Sequence, residues 1–571
     1  MKRFTENYSG EKFDIIVIGG GITGAAVAYD AASRGLSVAV IDKGDFGGAT
    51  SSVTSKLIHG GLRYLVSMEF RLVRESLRER KNLENIAPNF VYPVKMMVTT
   101  NKLKITNTKW IIKIGMILYD LFSFDKGWTW DKSKKIPLHK TLSRDTVIEL
   151  EPNVKKEGLT GASVYYDCMS IFPERLTLAF IKSAIQHGAQ VANYARVEGF
   201  ILSNDKRIAG VTVHDTITGK KLNVPAALTV NCGGPWADII LGLAKKKVEG
   251  EQLRRSEGIH IITKKLVNDH IVGTITKKGR HIFIVPWRGH SLIGTTDKEY
   301  IGSPDEYRVT EKSIRELLDE VNDAYGFKPL SFKDILHTYG GLRPLVEDQT
   351  EDVYESSRKY EIYDNKTDGL DGLITVEGGK YTTSRNLAEE VLRIISKKLK
   401  RKLKRTITDK TFLHGCEIPN TPEFLERIVK ENPDFKRATL ETLGKYYGLE
   451  YMRVLEIARK NKSLARPLNN DGEILAQVVF AVRNECAKTL NDILFRRTGI
   501  GTLGNPGEGV LRLVVQTAAK ELNWSAARIK EELAMARKAF VIPGHDDKGG
   551  QGRGAASVKK GVRHGTKTKR Q

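Results

Sequence analysis

An α/β fold with a parallel sheet is predicted by three observations near the start of the 571-residue chain. Residues 14–18 form a short apolar, β-branched run, and three glycines follow it at positions 19–21. Residues 22–33 are rich in alanine and favour a helix, and residues 37–41 form a second apolar run. A strand, a glycine turn, a helix and a strand within about 30 residues are typical of a βαβ unit with parallel strands.

Further units must follow this first one, because domains average roughly 100–200 residues. Apolar periodicity predicts the remaining elements in chain order. They are a helix over 69–86, a strand over 90–100, a helical pattern over 102–122, a helix over 176–188, strands over 190–202, a hairpin over 209–224, a strand over 228–231, a β-rich stretch over 260–296, a helix over 311–325, a strand over 373–376 and a long helix from 383. Residues 420–540 favour helices throughout and form a separate C-terminal unit.

Composition excludes several classes of protein. Hydrophobic residues make up 40 % and charged residues 28 %, which is ordinary for a soluble globular chain. The net charge of +24 favours an anionic partner such as nucleic acid, an anionic membrane or a phosphorylated metabolite. Residues 544–571 carry +6 of that charge without any Leu, Ile or aromatic residue, so they are predicted to be a disordered tail. Four scattered cysteines and twelve histidines show no metal-ligand spacing, so no metal site is predicted.

The glycine turn matches a dinucleotide fingerprint. Gly19 suits the tight turn, Gly21 lets the backbone approach a pyrophosphate, and Gly24 lets the helix pack on the strand. Asp42 ends the second strand, where a carboxylate accepts hydrogen bonds from ribose hydroxyls. NAD and FAD both fit this pattern. The small hydroxylated residues at 47–56 favour FAD modestly, because they suit a second contact with an extended cofactor; a solvated loop is the alternative.

Three cations follow paired glycines. Arg63, Arg343 and Lys380 each come within two residues of such a pair. Paired glycines let the backbone approach a flat ligand or another chain. Three converging cations would bind a phosphate or a carboxylate, with arginine as a forked donor and lysine as a point charge. The alternative is three ordinary turns in a basic protein.

Together these motifs resemble FAD-dependent glycerol-3-phosphate dehydrogenase. The similar segments are 18–35, 49–65, 231–236, 293–297, 339–345, 378–388 and 495–501. The resemblance implies the fold of the D-amino-acid-oxidase-like flavoproteins, with a Rossmann-like FAD domain, a β-rich substrate domain and a helical C-terminal domain. The implied FAD domain is discontinuous, over 10–95, 155–235 and 335–405; the substrate domain covers 96–154 and 236–334, and the helical domain 410–543.

The resemblance also implies a reaction and its residues. Glycerol 3-phosphate would lose a hydride from C2 to FAD and become dihydroxyacetone phosphate, and a quinone would reoxidise the flavin. The implied substrate-binding residues are Arg63, Tyr64, Arg343 and Lys380, and the implied catalytic residues are Arg343, His260, His59 and Lys380. The implied cofactor-binding residues are Gly19, Gly21, Gly24, Asp42, Thr50, Ser51, Ser52, Lys56, His59, Gly60, Val197, Gly233, Trp236, Gly341, Gly379, Lys380 and Thr382.

The chemistry needs an acceptor for the C2 hydroxyl proton as the hydride leaves. A histidine with a pKa near neutrality suits that task, and His260 and His59 are the candidates. His59 could equally be a structural histidine beside the flavin. A cation near the flavin would stabilise its reduced anion, and Lys380 or a backbone dipole could supply it.

Two surface features bear on the partners. Leucine, valine and isoleucine recur every four residues from 387 to 403, and seven cations lie within 397–405. The helical pattern at 102–122 carries more apolar residues than one buried stripe requires. Both could contact an anionic membrane, although a solvated face explains the cations equally well. A family member must reach a quinone, so a peripheral location on the cytoplasmic face of the membrane is expected, with a homodimer as one assembly.

Two other functions compete with this interpretation. A glycerol-3-phosphate oxidase would use the same site and pass its electrons to oxygen. A nucleic-acid-binding protein would explain the positive charge. The second is disfavoured, because the basic runs carry no interleaved aromatic residues on which bases could stack.

Overall fold

The computed structural model describes residues 1–66, 68–102, 108–244, 253–276, 279–345 and 360–545. The predicted disordered tail at 544–571 lies outside these residues except for its first two positions.

The described elements alternate between strands and helices up to residue 398 and are helical from there on. The strands are β1 (Phe13–Ile18), β2 (Val38–Ile41), β3 (Leu57–Ile58), β4 (Val91–Asn101), β5 (Lys140–Ser143), β6 (Leu159–Ser170), β7 (Gln190–Ala192), β8 (Ala195–Leu202), β9 (Ile208–Asp215), β10 (Lys221–Asn231), β11 (Arg254–Lys264), β12 (His270–Ile275), β13 (His281–Trp287), β14 (His290–Gly294), β15 (Lys298–Glu299), β16 (Ile335–Leu345), β17 (Tyr360–Asp364) and β18 (Leu373–Gly378). The helices are α1 (Ile22–Ser33), α2 (Arg63–Val66), α3 (Phe70–Ile86), α4 (Lys109–Phe122), α5 (Arg144–Leu150), α6 (Pro173–Gln186), α7 (Ala237–Gly242), α8 (Glu311–Ala324), α9 (Ser384–Lys398), α10 (Thr421–Glu431), α11 (Arg437–Tyr447), α12 (Tyr451–Lys460), α13 (Leu475–Glu485), α14 (Leu490–Asp492), α15 (Glu508–Leu522) and α16 (Ala526–Ala539).

Within the described residues the first sheet has eight strands, of which β18, β10, β1, β2 and β7 run parallel in that order. The predicted βαβ unit is therefore confirmed. Helix α1 packs against β1, α6 and α9, and its alanines leave room for that close packing. Both faces of β2 are buried, as expected for a parallel strand between layers of helices.

One predicted boundary in this sheet is wrong. The second strand of the hairpin at 209–224 and the strand at 228–231 are a single strand, β10. Its first half pairs antiparallel with β9, and its second half pairs parallel with β1. Pro225 does not break β10, because it faces Gly210, where an added Cβ would press on the backbone of Val224 and Pro225.

The second sheet has ten strands in the order β15-β11-β14-β13-β12-β4-β6-β3, with β16 on β11 and β5 on β6. Its pairs are antiparallel apart from the parallel pair of β12 and β4. Helix α8 covers part of this sheet with the apolar residues Ile314, Leu317 and Val321. Hydrogen bonds from Thr50 to the Leu342 carbonyl and from Tyr339 to the Thr54 carbonyl bring segments up to 292 residues apart together.

Helices α10–α16 form the C-terminal unit, whose apolar side chains pack partly on each other and partly on the second sheet. Of the helices within the described ranges, none is both long and apolar enough to cross a membrane. The four cysteines are free and buried. In the part of the chain that is described, no group of three or more His, Cys, Asp or Glu side chains could hold a metal ion.

Candidate active site

A cavity of about 1370 Å³ is lined by residues of both sheets. It extends from the glycine turn after β1 to the inner side of α4. Sixteen of the predicted site residues line it: Gly19, Gly21, Asp42, Thr50, Ser51, His59, Tyr64, Val197, Gly233, Trp236, His260, Gly341, Arg343, Gly379, Lys380 and Thr382. Residues predicted from separate motifs thus meet at one cavity.

The glycine turn leaves the start of α1 open toward the cavity. Gly19 has φ of +103°, and an added Cβ there would collide with the carbonyl of Cys232. Gly24 lies against the Gly19 carbonyl, where a Cβ has no room. The N-cap residue, Gly21, has no side chain to cap α1, and Ser51 Oγ accepts a hydrogen bond from Ile22 N at 2.9 Å. Unpaired N–H groups at a helix N-terminus suit a pyrophosphate.

Asp42 closes the other side of this turn. Its Oδ2 accepts a hydrogen bond from Gly20 N at 2.6 Å, and its Oδ1 accepts one from Gly44 N at 2.8 Å. Burial raises the pKa of Asp42, and the two backbone donors oppose that rise. The carboxylate is therefore fixed at the carboxyl end of β2, where it can also accept from ribose hydroxyls.

These features fit an extended dinucleotide rather than a mononucleotide. The cavity continues from Asp42 past the helix N-terminus to Gly341 and Gly379, whose missing side chains keep the backbone accessible. At the Asp42 end it is also lined by Val197 and Trp236, which present apolar surface. The donor set and the spread of the lining residues from Asp42 to Gly379 both fit FAD.

Arg343 lies on β16, and its guanidinium is held by the loop after β14. Nη2 donates to Thr295 Oγ1 at 2.7 Å, and Nη1 donates to the Thr296 carbonyl at 3.1 Å. Asp297 Oδ1 lies 3.4 Å from Nη1. The register pairs Gly258 of β11 with Gly341, and a Cβ on Gly258 would collide with the Arg343 guanidinium. The forked group therefore lies flat over a glycine and remains a quarter exposed to the cavity.

Lys380 follows β18 on the opposite side. Its ammonium donates to Ser76 Oγ at 3.1 Å and lies 3.8 Å from the centre of the Tyr64 ring. The adjacent Thr382 Oγ1 accepts a hydrogen bond from His59 N at 3.3 Å. Lys380, Tyr64 and His59 are thus held in one cluster at the cavity wall.

His260 lies on β11, two residues from Gly258 and on the same face of the sheet. Its Nε2 is 2.8 Å from Ser55 Oγ, and its ring stacks on Tyr339 at 5.0 Å. Burial holds the pKa of His260 well below its usual 6.5, and the charges of Arg343 and Lys56 lower it further. The imidazole is therefore neutral near pH 7, but its pKa lies below the near-neutral value expected of the proton acceptor from the sequence.

Of the predicted site residues whose placement the structure fully describes, four are not among those that line the cavity. Gly24 packs beneath the glycine turn, as described above. Lys56 is buried and its ammonium is paired with Glu174 at 2.8 Å. Ser52 Oγ donates to its own turn, at the Ala49 carbonyl. Gly60 N donates to Asp167 at 3.2 Å. The side chain of Arg63 lies outside the described part of the structure.

The structure also adds residues that the motifs did not single out. Ser55, Thr295 and Gly258 position His260 and Arg343, as described above. Ser55 stands in the hydroxylated run 47–56, so its residue type was a usable signal. Gly258 is a single glycine inside a strand, which is a sign of close approach by another group. Arg496 comes from the C-terminal unit and stands in the segment 495–501, which carried the family resemblance but no predicted site residue.

Comparisons with known proteins agree with this geometry. The sequence profile described as "FAD dependent oxidoreductase" matches residues 14–385, and the one described as "C-terminal domain of alpha-glycerophosphate oxidase" matches residues 406–529. A glycerol-3-phosphate dehydrogenase from Synechocystis is 34 % identical, over 93 % of this chain and 97 % of its own length. An aerobic glycerol-3-phosphate dehydrogenase from Staphylococcus haemolyticus is 31 % identical, over 92 % of this chain and 94 % of its own.

One solved structure is similar over nearly the whole chain. It is the glycerol-3-phosphate dehydrogenase from Bacillus halodurans complexed with FAD, which is 26 % identical with a TM-score of 0.74. The match covers 93 % of this chain and 95 % of that one. The predicted D-amino-acid-oxidase-like fold and the FAD cofactor are thereby confirmed.

Proposed function

The chain belongs to the family of FAD-dependent glycerol-3-phosphate dehydrogenases, and from that premise we propose that it oxidises glycerol 3-phosphate to dihydroxyacetone phosphate and passes the electrons to a membrane quinone. The observation that carries the substrate assignment is the meeting of Arg343 and Lys380, from two separate Gly-Gly motifs, at the cavity that holds His260. A phosphate dianion taken out of water needs such cations.

Arg343 is the main phosphate ligand in this proposal. Thr295 and Thr296 fix its guanidinium plane, so the fork is already oriented before substrate arrives. Asp297 offsets part of the charge of Arg343 in the free enzyme. Lys380 and Arg63 complete the anion site, and Tyr64 packs beneath the Lys380 ammonium. The contact of Arg63 rests on the sequence motif alone.

His260 is the proposed acceptor of the C2 hydroxyl proton. Bound FAD supplies the hydride acceptor. The neutral His260 imidazole takes up the proton at Nε2. In the free enzyme Nε2 is hydrogen-bonded to the Ser55 hydroxyl, and when substrate is bound that hydroxyl bonds to the substrate oxygen instead. The positive charges of Arg343 and Lys56 lower the pKa of His260. A substrate dianion beside the ring offsets these charges and thereby raises the pKa, which favours uptake of the proton. His59 stays a second candidate.

A quinone is the proposed acceptor because the cavity reaches an exposed apolar helix. Ile112, Met116 and Leu118 of α4 line the cavity, while Ile117 and Leu121 of the same helix face outward and are more than half exposed. Such a surface suits insertion among lipid acyl chains, and the positive charge of the chain suits an anionic leaflet. A peripheral location on the cytoplasmic face of the membrane belongs to the same proposal; a homodimer stays a prediction from the family resemblance.

The rival function is that of an oxidase, which shares the substrate site. Purified full-length protein would be supplied with glycerol 3-phosphate and, in separate reactions, with a short-chain quinone under argon or with oxygen alone. Quinone reduction that outruns hydrogen peroxide formation at least tenfold is expected. Comparable rates with oxygen would overturn the quinone assignment and leave the substrate assignment intact. Equal turnover of glycerol and glycerol 3-phosphate would overturn the substrate assignment.

A further inference from the structure

The end of the cavity that holds Asp42 has a wall from the C-terminal unit. Asp45, Tyr194 and Arg496 line this end, and Arg496 lies more than 450 residues after Asp42 in sequence. Tyr194 N donates to the Gly44 carbonyl at 2.8 Å, which ties this wall to the turn after β2. The cofactor site is therefore closed by a residue outside the two sheets.

The local winding of the chain places Arg496 there. Residues Ile493–Arg497 form a single π-helical turn, in which Thr498 N donates to the Ile493 carbonyl five residues back, at 3.0 Å. Such turns are rare and are often found at functional sites. In this turn both consecutive arginines reach one carboxylate. Arg496 Nε donates to Asp45 Oδ2 at 2.7 Å, and Arg497 makes two bonds to Asp45, at 2.7 and 2.8 Å.

The remaining nitrogens of Arg496 differ in their partners. Nη2 donates to Asp492 Oδ1, an atom that also accepts from the Tyr194 hydroxyl at 2.5 Å. Nη1 has no hydrogen-bond or ion-pair partner within the ranges that the structure describes, and the Arg496 side chain is 14 % exposed. Two of the three nitrogens are thus fixed by carboxylates, and the third is left available at the cavity.

The charges at this end also need Arg496. Asp42 and Asp45 place two carboxylates at the end of the cavity beside the glycine turn, where the pyrophosphate of a dinucleotide would bind. Burial pushes the pKa of Asp45 upward, but Arg497 and Arg496 outweigh burial and hold that pKa below its usual value. The Asp45 charge is therefore offset by two guanidinium groups, and one of these groups keeps a donor for a ligand.

We propose that Arg496 binds the adenosine half of FAD, with Nη1 donating to an acceptor atom of the ribose or the adenine ring. The adenosine is the part of the cofactor next to Asp42, because Asp42 occupies the position that accepts from ribose hydroxyls. Asp492 and Arg497 are positioning residues, since they act through Arg496 and Asp45. The C-terminal unit thereby takes part in holding the cofactor, whichever substrate and acceptor the enzyme uses.

The first test is the rate at which FAD leaves the holoenzyme. Arg496→Gln should release FAD about tenfold faster than the wild type on dilution, followed by the rise in flavin fluorescence. Arg483→Gln is the matched control, because Arg483 lies in the same unit and pairs with Glu521 on the surface, away from the cavity. The control should release FAD at the wild-type rate. Equal release by all three proteins would overturn the proposal.

The second test separates a contact with adenosine from a general loosening of the fold. Full-length apoprotein would be titrated with FAD, ADP and FMN. Arg496→Gln should weaken FAD and ADP about tenfold each and leave FMN unchanged, because FMN lacks the adenosine half. Arg496→Lys, which keeps the charge beside Asp45 and loses the fork, should weaken FAD and ADP with the apoprotein Tm preserved. Equal weakening of FAD, ADP and FMN, or unchanged ADP affinity in both variants, would overturn the proposal.

Discussion

At the scale of single residues, the fork of Arg343 is expected to matter more than its charge. Arg343→Lys keeps the charge but cannot bond to Thr295 and Thr296 and still present a second donor to phosphate. We expect kcat/KM for glycerol 3-phosphate to fall at least tenfold, the equivalent of ~1.4 kcal/mol. A dye-linked assay measures this, with the flavin absorbance of each protein as the check on FAD content.

Arg315→Lys is the control for that substitution, because Arg315 pairs with Glu311 on an exposed helix face. Its kcat/KM should equal that of the wild type. If Arg343→Lys were as active as the control, the Gly-Gly motif of β16 would be a structural turn and the phosphate would lie elsewhere.

Asp167 is a second residue whose loss should be severe. Its buried carboxylate accepts from Arg80 Nη1 at 2.7 Å, from the Tyr119 hydroxyl at 2.8 Å and from Gly60 N at 3.2 Å. Asp167→Asn leaves the Arg80 charge buried without a counter-ion, which costs ~3–5 kcal/mol. The Tm of the holoenzyme should fall sharply. Tyr119→Phe removes one donor and should cost ~1 kcal/mol, so a Tm drop of similar size in both variants would contradict this account.

The predictable site residues are those with a local signal. Gly19 and Asp42 stand in a motif whose spacing predicts their positions, whereas the spacing around Arg343 left an ordinary turn open and its role came from the family resemblance. The partner of Lys56 could not be predicted, because Glu174 lies 118 residues further along the chain and only the packing of α6 brings it to the ammonium. The cofactor-binding role of Lys56 stays a prediction, and in the structure the Lys56 ammonium forms an ion pair with Glu174.

At the scale of elements, helix α4 carries apolar side chains both on its buried face and on its exposed face. Met116 and Tyr119 are buried, whereas Ile117 and Leu121 are 51 % and 64 % exposed. Ile117→Glu or Leu121→Glu should therefore cost little stability but weaken binding to anionic vesicles at least tenfold, since burying one such side chain is worth ~1.5–3 kcal/mol. Co-sedimentation with vesicles measures the bound fraction, and dye-linked turnover should be unchanged.

Ile301→Glu is the control for the surface of α4. Ile301 is 92 % exposed in the loop after β15, so the same change is made on an isolated apolar residue. Its vesicle binding should match that of the wild type. Equal loss in Ile117→Glu and Ile301→Glu would mean that added negative charge, rather than the α4 surface, governs adsorption.

Sequence periodicity identified most elements to within a few residues, including α1, α3 and α8. Periodicity predicted two strands in place of β10, because the apolar pattern changes where the pairing of β10 passes from β9 to β1. That α4 carries apolar residues on two faces was predictable, because its sequence holds more apolar residues than one buried stripe needs. Which of its sides faces the cavity depends on β4 and β6, which no local pattern reveals.

At the scale of the whole molecule, His337 is expected to make the joint between β16 and the C-terminal unit sensitive to acid. Its ring stacks on Phe495 at 5.9 Å, and burial lowers the pKa of His337 to about 4. In the unfolded chain His337 binds a proton below about pH 6.5, whereas in the folded chain it binds that proton only near pH 4. The free energy of unfolding should therefore fall as the pH drops through this window, by on the order of 3 kcal/mol in full.

The measurement is the Tm at pH 7 and at pH 5. His337→Phe keeps a ring in the stack and removes the proton site, so its Tm should fall less between these pH values than that of the wild type. His187→Gln is the control, because His187 is exposed. A pH dependence in His337→Phe as steep as in the wild type would assign the acid sensitivity to other groups, such as the buried His260.

The class of fold was predictable from the first 42 residues and the family resemblance, but the order of strands was not. Local sequence patterns indicate that a strand exists and that both its faces are buried. They do not state which strand lies beside it, because pairing is decided by the packing of the whole chain. The predicted domain boundaries stay predictions for the same reason.

The strand order has a consequence for how the protein is made. β1 lies between β2 and β10, and β18 completes the parallel strands on that side. The ribosome delivers β18 some 360 residues after β1, which takes roughly 20–70 s at ordinary rates of synthesis. The free edge of β1 stays unpaired until β10 appears, and the outer edge of β10 then stays unpaired until β18 appears. The nascent chain therefore exposes an unpaired apolar strand edge for tens of seconds, and such an edge is prone to pair with other chains during synthesis.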